Sequence, residues 1–182
     1  MGMIGAGIAI AVVVWVIWMF NRLVRLRNQV RTAWADIDVQ LTRRHDLVPQ
    51  LVAAVKGYAD FEAATLESVT ALRNQAMALH RPGPLGDVEA SLALALGKVF
   101  ALQEAYPDLK ASGNFQQLQR DLVDVEEHLQ YARRYYNGAV RDYNDAGQRF
   151  PDLFIARAFG FGQAEFFQAE GAARAAVAVE LP

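Results

Sequence analysis

The chain has 182 residues, with 18 basic and 20 acidic side chains and a formal net charge of −2. It holds no cysteine, which excludes disulfides, iron–sulfur clusters and thiol nucleophiles. The charge is uneven: residues 1–35 carry four arginines and no acid, whereas residues 36–182 carry 14 basic and 20 acidic side chains, a body whose sign argues against nucleic acid as a partner.

Residues 3–20 form an uncharged apolar run of 18 residues, near the lower end of what crosses a bilayer core as a helix. At the helical rise the run covers about 27 Å. Trp15 and Trp18 stand at its far end, where amphipathic rings prefer the headgroup level. Arg22, Arg25, Arg27 and Arg31 come next, and no acid appears before Asp36. A cleaved secretory signal is the competing reading. It wants a basic start and a small-residue cleavage site, yet only the amino terminus is basic here and Met19-Phe20-Asn21 is a poor cleavage context. A lipoprotein would need a cysteine. The expectation is an uncleaved single-pass anchor over residues 1–21, with the N-terminus outside and the remainder on the cytoplasmic side.

Everything beyond the anchor reads as helix. Leu23, Leu26, Val30, Trp34, Ile37, Leu41, Val48, Leu51 and Val55 share one face of a helix that continues the span to about residue 57. Pro49 interrupts it, and a kink is expected near residues 45–48. Gly57-Tyr58-Ala59-Asp60 reads as a weak break, with Asp60 able to cap a second helix; without that break the first two helices fuse. Leu66, Val69, Leu72, Ala76 and Leu79 stripe the second helix, near residues 60–79. His80-Arg81-Pro82-Gly83-Pro84-Leu85-Gly86 reads as a loop. Asp87 is the expected cap of a third helix near residues 87–105, striped by Val88, Leu92, Ala95, Val99, Leu102 and Tyr106.

From Asn114, an expected N-cap, the pattern is most regular. Phe115, Leu118, Leu122, Val125, Leu129, Ala132, Tyr136, Ala139, Tyr143, Ala146 and Phe150 recur at alternating steps of three and four. That is the signature of one helix packed along its length, stopped at Phe150-Pro151. The predicted fold is all-α: a single N-terminal transmembrane helix continuing into a long antiparallel four-helix bundle over residues 22–150. Residues 151–170 form a phenylalanine-rich segment with Phe154, Phe159, Phe161, Phe166 and Phe167, either sealing the bundle or forming an exposed or membrane-lying patch that marks an interaction surface. Residues 171–182 form an alanine- and valine-rich tail, expected to be loose. A chain cut before Asn28 is expected to stay folded and soluble.

The residues also resemble a known family. Asn21-Arg22-Leu23-Val24-Arg25-Leu26-Arg27-Asn28 leads through Ala33-Trp34-Ala35-Asp36-Ile37-Asp38-Val39-Gln40-Leu41 to Arg43-Arg44-His45-Asp46-Leu47-Val48-Pro49-Gln50-Leu51-Val52 and Val55-Lys56-Gly57-Tyr58-Ala59. Tyr136-Asn137-Gly138-Ala139-Val140 and Asp142-Tyr143-Asn144 come later, then Phe150-Pro151, Gly160-Phe161 and Phe166-Phe167. Over about residues 18–168 this run is similar to the LemA family. The resemblance implies a short N-terminal membrane helix, a cytoplasmic antiparallel helical bundle and no established catalytic activity. Gln50 and Ala53 stand where the family often has acidic or asparagine-type residues.

Catalytic motifs are missing from the sequence. None of His45, His80 and His128 sits in the Glu-x-x-His pattern of a di-iron bundle. No His-Glu-x-x-His, Gly-x-Ser-x-Gly, Walker A or Gly-x-Gly-x-x-Gly motif occurs. No enzyme, cofactor or metal is therefore expected. Helical spacing places Arg44 on the packed face, with Glu62 and Asp46 as further candidates for a polar core layer; a buried arginine needs a partner. That layer either fixes helix register or forms a charged site. His45 reads as a surface residue near the kink, while Tyr131, Tyr135, Tyr136 and Tyr143 with Asn137 and Asn144 read as core. Gly2 and Ala6, Gly5 and Ala9, and Gly7 and Ala11 are small pairs of the kind that let membrane helices approach.

Function has three readings at this level. The first is a membrane-anchored scaffold or interaction protein that self-assembles as a homo-oligomer, with Trp15, Trp18, Arg22, Arg25, Arg27 and Arg31 facing lipid. The second is a transmembrane signalling stalk. The third is an enzyme using the Arg44/Glu62 layer.

Overall fold

One helix carries the apolar run far beyond its end. In the computed structural model, which describes residues 2–58 and 62–167, α1 spans Gly2–Lys56, with Pro49 inside it. It stops at the turn of Gly57 and Tyr58, where the Tyr58 amide donates to the Val55 carbonyl at 2.9 Å. The break at Gly57 is therefore present, and α2 (Ala63–Met77) is a separate helix. Asp60, the expected cap, lies outside the described residues, as does the tail.

α3 spans Pro82–Ala101, which corrects the expected loop at residues 80–86 and the cap at Asp87. The reason is the chemistry of a first helical turn. Its amides have no intrahelical acceptor, so a proline there forfeits nothing and arrives with a helical φ. Pro82 and Pro84 both occupy that turn, and the Leu85 amide closes it onto the Arg81 carbonyl at 3.1 Å. A 3-10 turn (Leu102–Glu104) and the short α4 (Pro107–Ala111) come after it, and Leu109 is buried. α5 spans Gly113–Gln148. It begins one residue before the expected Asn114 cap, and the Phe115 amide reaches the Ser112 hydroxyl at 3.5 Å.

α6 (Asp152–Ala158) ends in a Schellman motif. Gly160 takes φ +69°, a left-handed conformation that glycine adopts without a Cβ clash. The Phe161 amide then reaches back to the Ala156 carbonyl at 2.9 Å. No strand occurs among the described residues.

The chain divides into two compact units, Met1–Ile37 with Ala132–Glu165, and Asp38–Tyr131 with Phe166–Pro182. In the first, Met19 and Leu23 of α1 pack with Ala146 of α5 and with Ile155 and Ala156 of α6; Val16, Phe20, Leu26 and Phe161 flank them. Trp34 lies against Tyr136 with ring centroids 5.3 Å apart. In the second, Val48, Leu51 and Val55 of α1, Leu66 and Val69 of α2, Leu92, Leu96 and Val99 of α3, and Phe115, Leu118 and Leu122 of α5 share one core. Leu109 of the short α4 joins the same cluster, so five helices supply it, the four long ones each through an apolar face at helical spacing.

The α5 stripe is buried from Phe115 to Ala146, with Ala132 half-buried, and Phe150 beyond the helix end is exposed. Tyr131 and Tyr135 are exposed too, which corrects their placement in the core. They sit off the three–four stripe that Tyr136 and Tyr143 continue.

Candidate functional site

Two places gather polar or aromatic side chains that burial alone does not explain. The first is a charged layer in the second unit. Arg44 on α1 is only 3% exposed and Glu89 on α3 is fully buried. Arg44 Nη1 lies 3.2 Å from Glu89 Oε2, and Arg44 Nη2 lies 3.1 Å from Glu126 Oε2 on α5. The other oxygen of Glu89 is 2.6 Å from His45 Nε2. His45 is therefore buried, which corrects its assignment to the helix surface. At the exposed margin, Arg43 Nη1 donates to Asp124 Oδ2 at 2.8 Å.

Pro49 enters the same layer through the backbone. A proline cannot donate to the carbonyl four residues earlier, which here belongs to His45. Arg73 of α2 supplies the missing donor, its Nε reaching the His45 carbonyl at 2.9 Å. A bond normally internal to one helix is replaced by one between α1 and α2, so α1, α2, α3 and α5 all contribute to the layer. Of the sequence candidates, Asp46 is exposed, and Glu62 is half-buried with Tyr106 Oη donating to it at 3.5 Å.

Sequence reading missed Glu89, Glu126, His45 and Arg73. A signal for Glu89 existed. Leu85, Glu89, Leu92, Leu96 and Val99 are all buried on α3, a stripe with one charge in it. Ile37, Leu41, Arg44, Val48 and Leu51 on α1 form the matching stripe. An open groove of about 420 Å³ in this unit is lined by Val52, Lys56, Leu66, Glu67, Thr70 and Asn74, and by none of the charged layer. No group of three metal-ligating side chains exists among the described residues.

The second place is in the first unit, where the apolar run ends. Phe20 packs edge-on against Phe159 and Phe161, at centroid distances of 5.0 and 5.5 Å. Arg22 is paired with the buried carboxylate of Asp152. The Arg27 guanidinium stands 5.0 Å over the Phe161 ring, a cation–π contact. Arg25 and Arg31 are exposed, as are Trp15 and Trp18. Phe154 and Phe159 are exposed, and Phe161 is half-buried. In the second unit, Phe166 is exposed and Phe167 buried.

Also in the first unit, α5 holds the segment after Gly160 by its main chain. The Tyr136 hydroxyl donates to the Glu165 carbonyl and the Tyr143 hydroxyl to the Gly162 carbonyl, both at 2.8 Å. The Asn144 side chain donates to the Ala164 carbonyl at 3.0 Å and accepts from the Ala164 amide at 2.8 Å. Burial, then the charge of Glu165, pushes the Tyr136 hydroxyl up to about 12. Burial also raises Tyr143, against the opposing charges of Arg27 and Arg31.

A raised folded-state value favours the neutral phenol. The stability it contributes is present below the unfolded tyrosine value of about 10 and is lost as pH rises through about 12. Tyr136→Phe is therefore expected to flatten the alkaline fall in melting temperature over that window. Parallel curves for parent and variant would show that ionisation of Tyr136 does not drive it.

The LemA family profile matches residues 33–181. The chain belongs to the LemA family. Similar proteins include Magnetosome protein MamQ 2 of Paramagnetospirillum magneticum, 23% identical over 185 residues, covering 87% of this chain and 68% of the relative. Magnetosome protein MamQ of Magnetospirillum gryphiswaldense is 23% identical over 184 residues with the same coverage. Protein LemA of Metamycoplasma hominis is 24% identical over 151 residues, 82% of this chain and 68% of the relative. The family match begins at Ala33, beyond the apolar run, and takes in both the charged layer and the segment clasped by α5.

Proposed function

We propose that this LemA-family chain is a membrane-anchored helical scaffold without catalytic chemistry, which self-assembles at the bilayer. One observation carries the reading. The first stretch of α1, residues 2–18, is apolar and is exposed throughout apart from half-buried Val16. An apolar helix face of that extent left without protein contacts calls for lipid. Arg22, Arg25, Arg27 and Arg31 at its end favour a cytoplasmic location for the residues beyond the span. We further propose that α1, α2, α3 and α5 pack in the second unit as an antiparallel four-helix bundle, which the shared core and the short α2–α3 link support.

Self-assembly is supported by room on the span. A Cβ added at Gly2, Gly5 or Gly7 would meet nothing within 4 Å, so a second helix has space to approach there. The relatives named as magnetosome proteins fit a role in an assembled cellular body better than one in turnover of a small substrate. A signalling stalk is the second reading, favoured by the unbroken course of α1 from the span to Lys56. The test is the particle mass of the full chain in native nanodiscs, by mass photometry. A defined oligomer is expected. A monomer at every concentration would overturn self-assembly and leave a tether.

A further inference from the structure

We infer that α6 and its two flanking phenylalanines form a second membrane contact, lying in the headgroup layer of an anionic bilayer beside the exit of the span. This rests on the anchor reading and adds a surface to it. α6 is two-faced. Asp152, Ile155 and Ala156 are buried, with Ile155 and Ala156 against Met19, Leu23 and Ala146 and Asp152 paired with Arg22. Phe154, Arg157 and Ala158, at helical spacing on the other side, are exposed. Phe150 just before the helix is 81% exposed, Phe154 is 61% and Phe159 just after it is 57%. Three large rings turned outward within ten residues form an apolar patch of the kind a soluble surface avoids.

The occupant is set by continuity and charge. Phe159 rests against Phe20, the last residue of the apolar run, so the patch is joined to the span at its end. Phe150 and Phe154 continue it, their rings 5.9 Å apart and edge to face. Exposed Arg149 precedes the same segment and exposed Arg157 lies within it. The unit that holds α6 and the span has nine basic and five acidic side chains, a net of +4. The other unit has nine basic and fifteen acidic, a net of −6. Aromatic rings on one face with arginines among them match the boundary between acyl chains and anionic headgroups. A soluble protein partner would have no reason to sit where the apolar run ends.

The absence of cysteine makes the test clean. Single-cysteine variants Phe154→Cys, Phe150→Cys, Ile8→Cys and Leu94→Cys of the full chain, each carrying a nitroxide, would be placed in vesicles of phosphatidylcholine and phosphatidylglycerol. Relaxation by oxygen and by a water-soluble nickel chelate reports depth. All four side chains are exposed, and a melting temperature equal to the parent's shows that the fold is kept. The label at Ile8 is expected deepest and that at Leu94 in water. Labels at Phe154 and Phe150 are expected at shallow depth, with nickel accessibility several-fold below that of Leu94, rising in vesicles of phosphatidylcholine alone. Phe154 and Phe150 labels as open to nickel as Leu94, with Ile8 still in lipid, would overturn the second contact and leave the anchor standing. An Ile8 label in water would overturn the anchor itself. Labels at Phe154 and Phe150 shielded from both reagents would assign the patch to a second copy of the chain and overturn the lipid contact.

Discussion

Glu89→Ala is expected to lower the stability of the helical domain by about 3–5 kcal/mol, the usual cost of removing one partner from a buried ion pair. Glu89 is fully buried and its two oxygens serve two different partners, Arg44 and His45. Without it, Arg44 keeps only Glu126, whose side chain is partly open to solvent. His45 loses its acceptor altogether. Arg44→Ala is expected to be comparably harmful, because it leaves the buried Glu89 carboxylate with His45 as its one partner there. The double variant Arg44→Met with Glu89→Leu removes the charge and its countercharge together and should recover much of the loss. Chemical unfolding of the full chain in detergent, followed by circular dichroism, measures all three. A cost for Glu89→Ala under about 1 kcal/mol, the range of an exposed pair, would mean that water reaches the layer.

Where the chain is cut should matter as much. Removal of residues 2–18 is expected to yield a folded, soluble helical protein, since that stretch is exposed apart from half-buried Val16. A cut before Asn28, which sequence reading favours, is expected to fail. It deletes Met19 and Leu23 and so uncovers Ala146, Ile155 and Ala156. Emptying a buried leucine or methionine site costs about 2–5 kcal/mol. The cut also removes Arg22, leaving the buried Asp152 carboxylate without its cation. Together these losses are of the order of a small domain's whole stability. Limited proteolysis between residues 132 and 165 would separate the outcomes: protection in the shorter deletion, rapid cleavage in the longer. Equal protection in both would show that the apolar helix contributes nothing to the fold beyond its span.

Both expectations trace to what could and could not be read from the chain. The long α5 stripe was legible because eleven positions repeat one period, and a period survives any single exception. The start of α3 was not, because Pro82 and Pro84 signal a break everywhere except in a first helical turn, and the sequence does not say which turn it is. Arg44 was recognisable as a packed-face charge from its place between Leu41 and Val48. Its partners were not, and Glu62 was grouped with it, since helical spacing says which residues face inward and nothing about which inward faces meet. Glu89 carried a similar mark on α3, hidden by a stripe drawn one residue away, through Val88. His45 was assigned to the surface because a histidine beside Pro49 has no periodic signal of its own. Where the span gives way to packing has no mark in the chain, because Met19, Phe20 and Leu23 are apolar enough to suit lipid and protein equally.

The clasp that α5 places on residues 162–165 divides the chain into readers and text. Tyr136, Tyr143 and Asn144 bond only to main-chain groups there, and every amino acid offers the same carbonyl. The side chain of Gln163 is invisible to those bonds, position 164 must only keep an amide to donate, and Glu165 acts on Tyr136 through its charge, while a change at either tyrosine or at the asparagine is felt at once. Over evolutionary time a position held in this way, such as that of Gln163, is free to vary in letter while keeping its path.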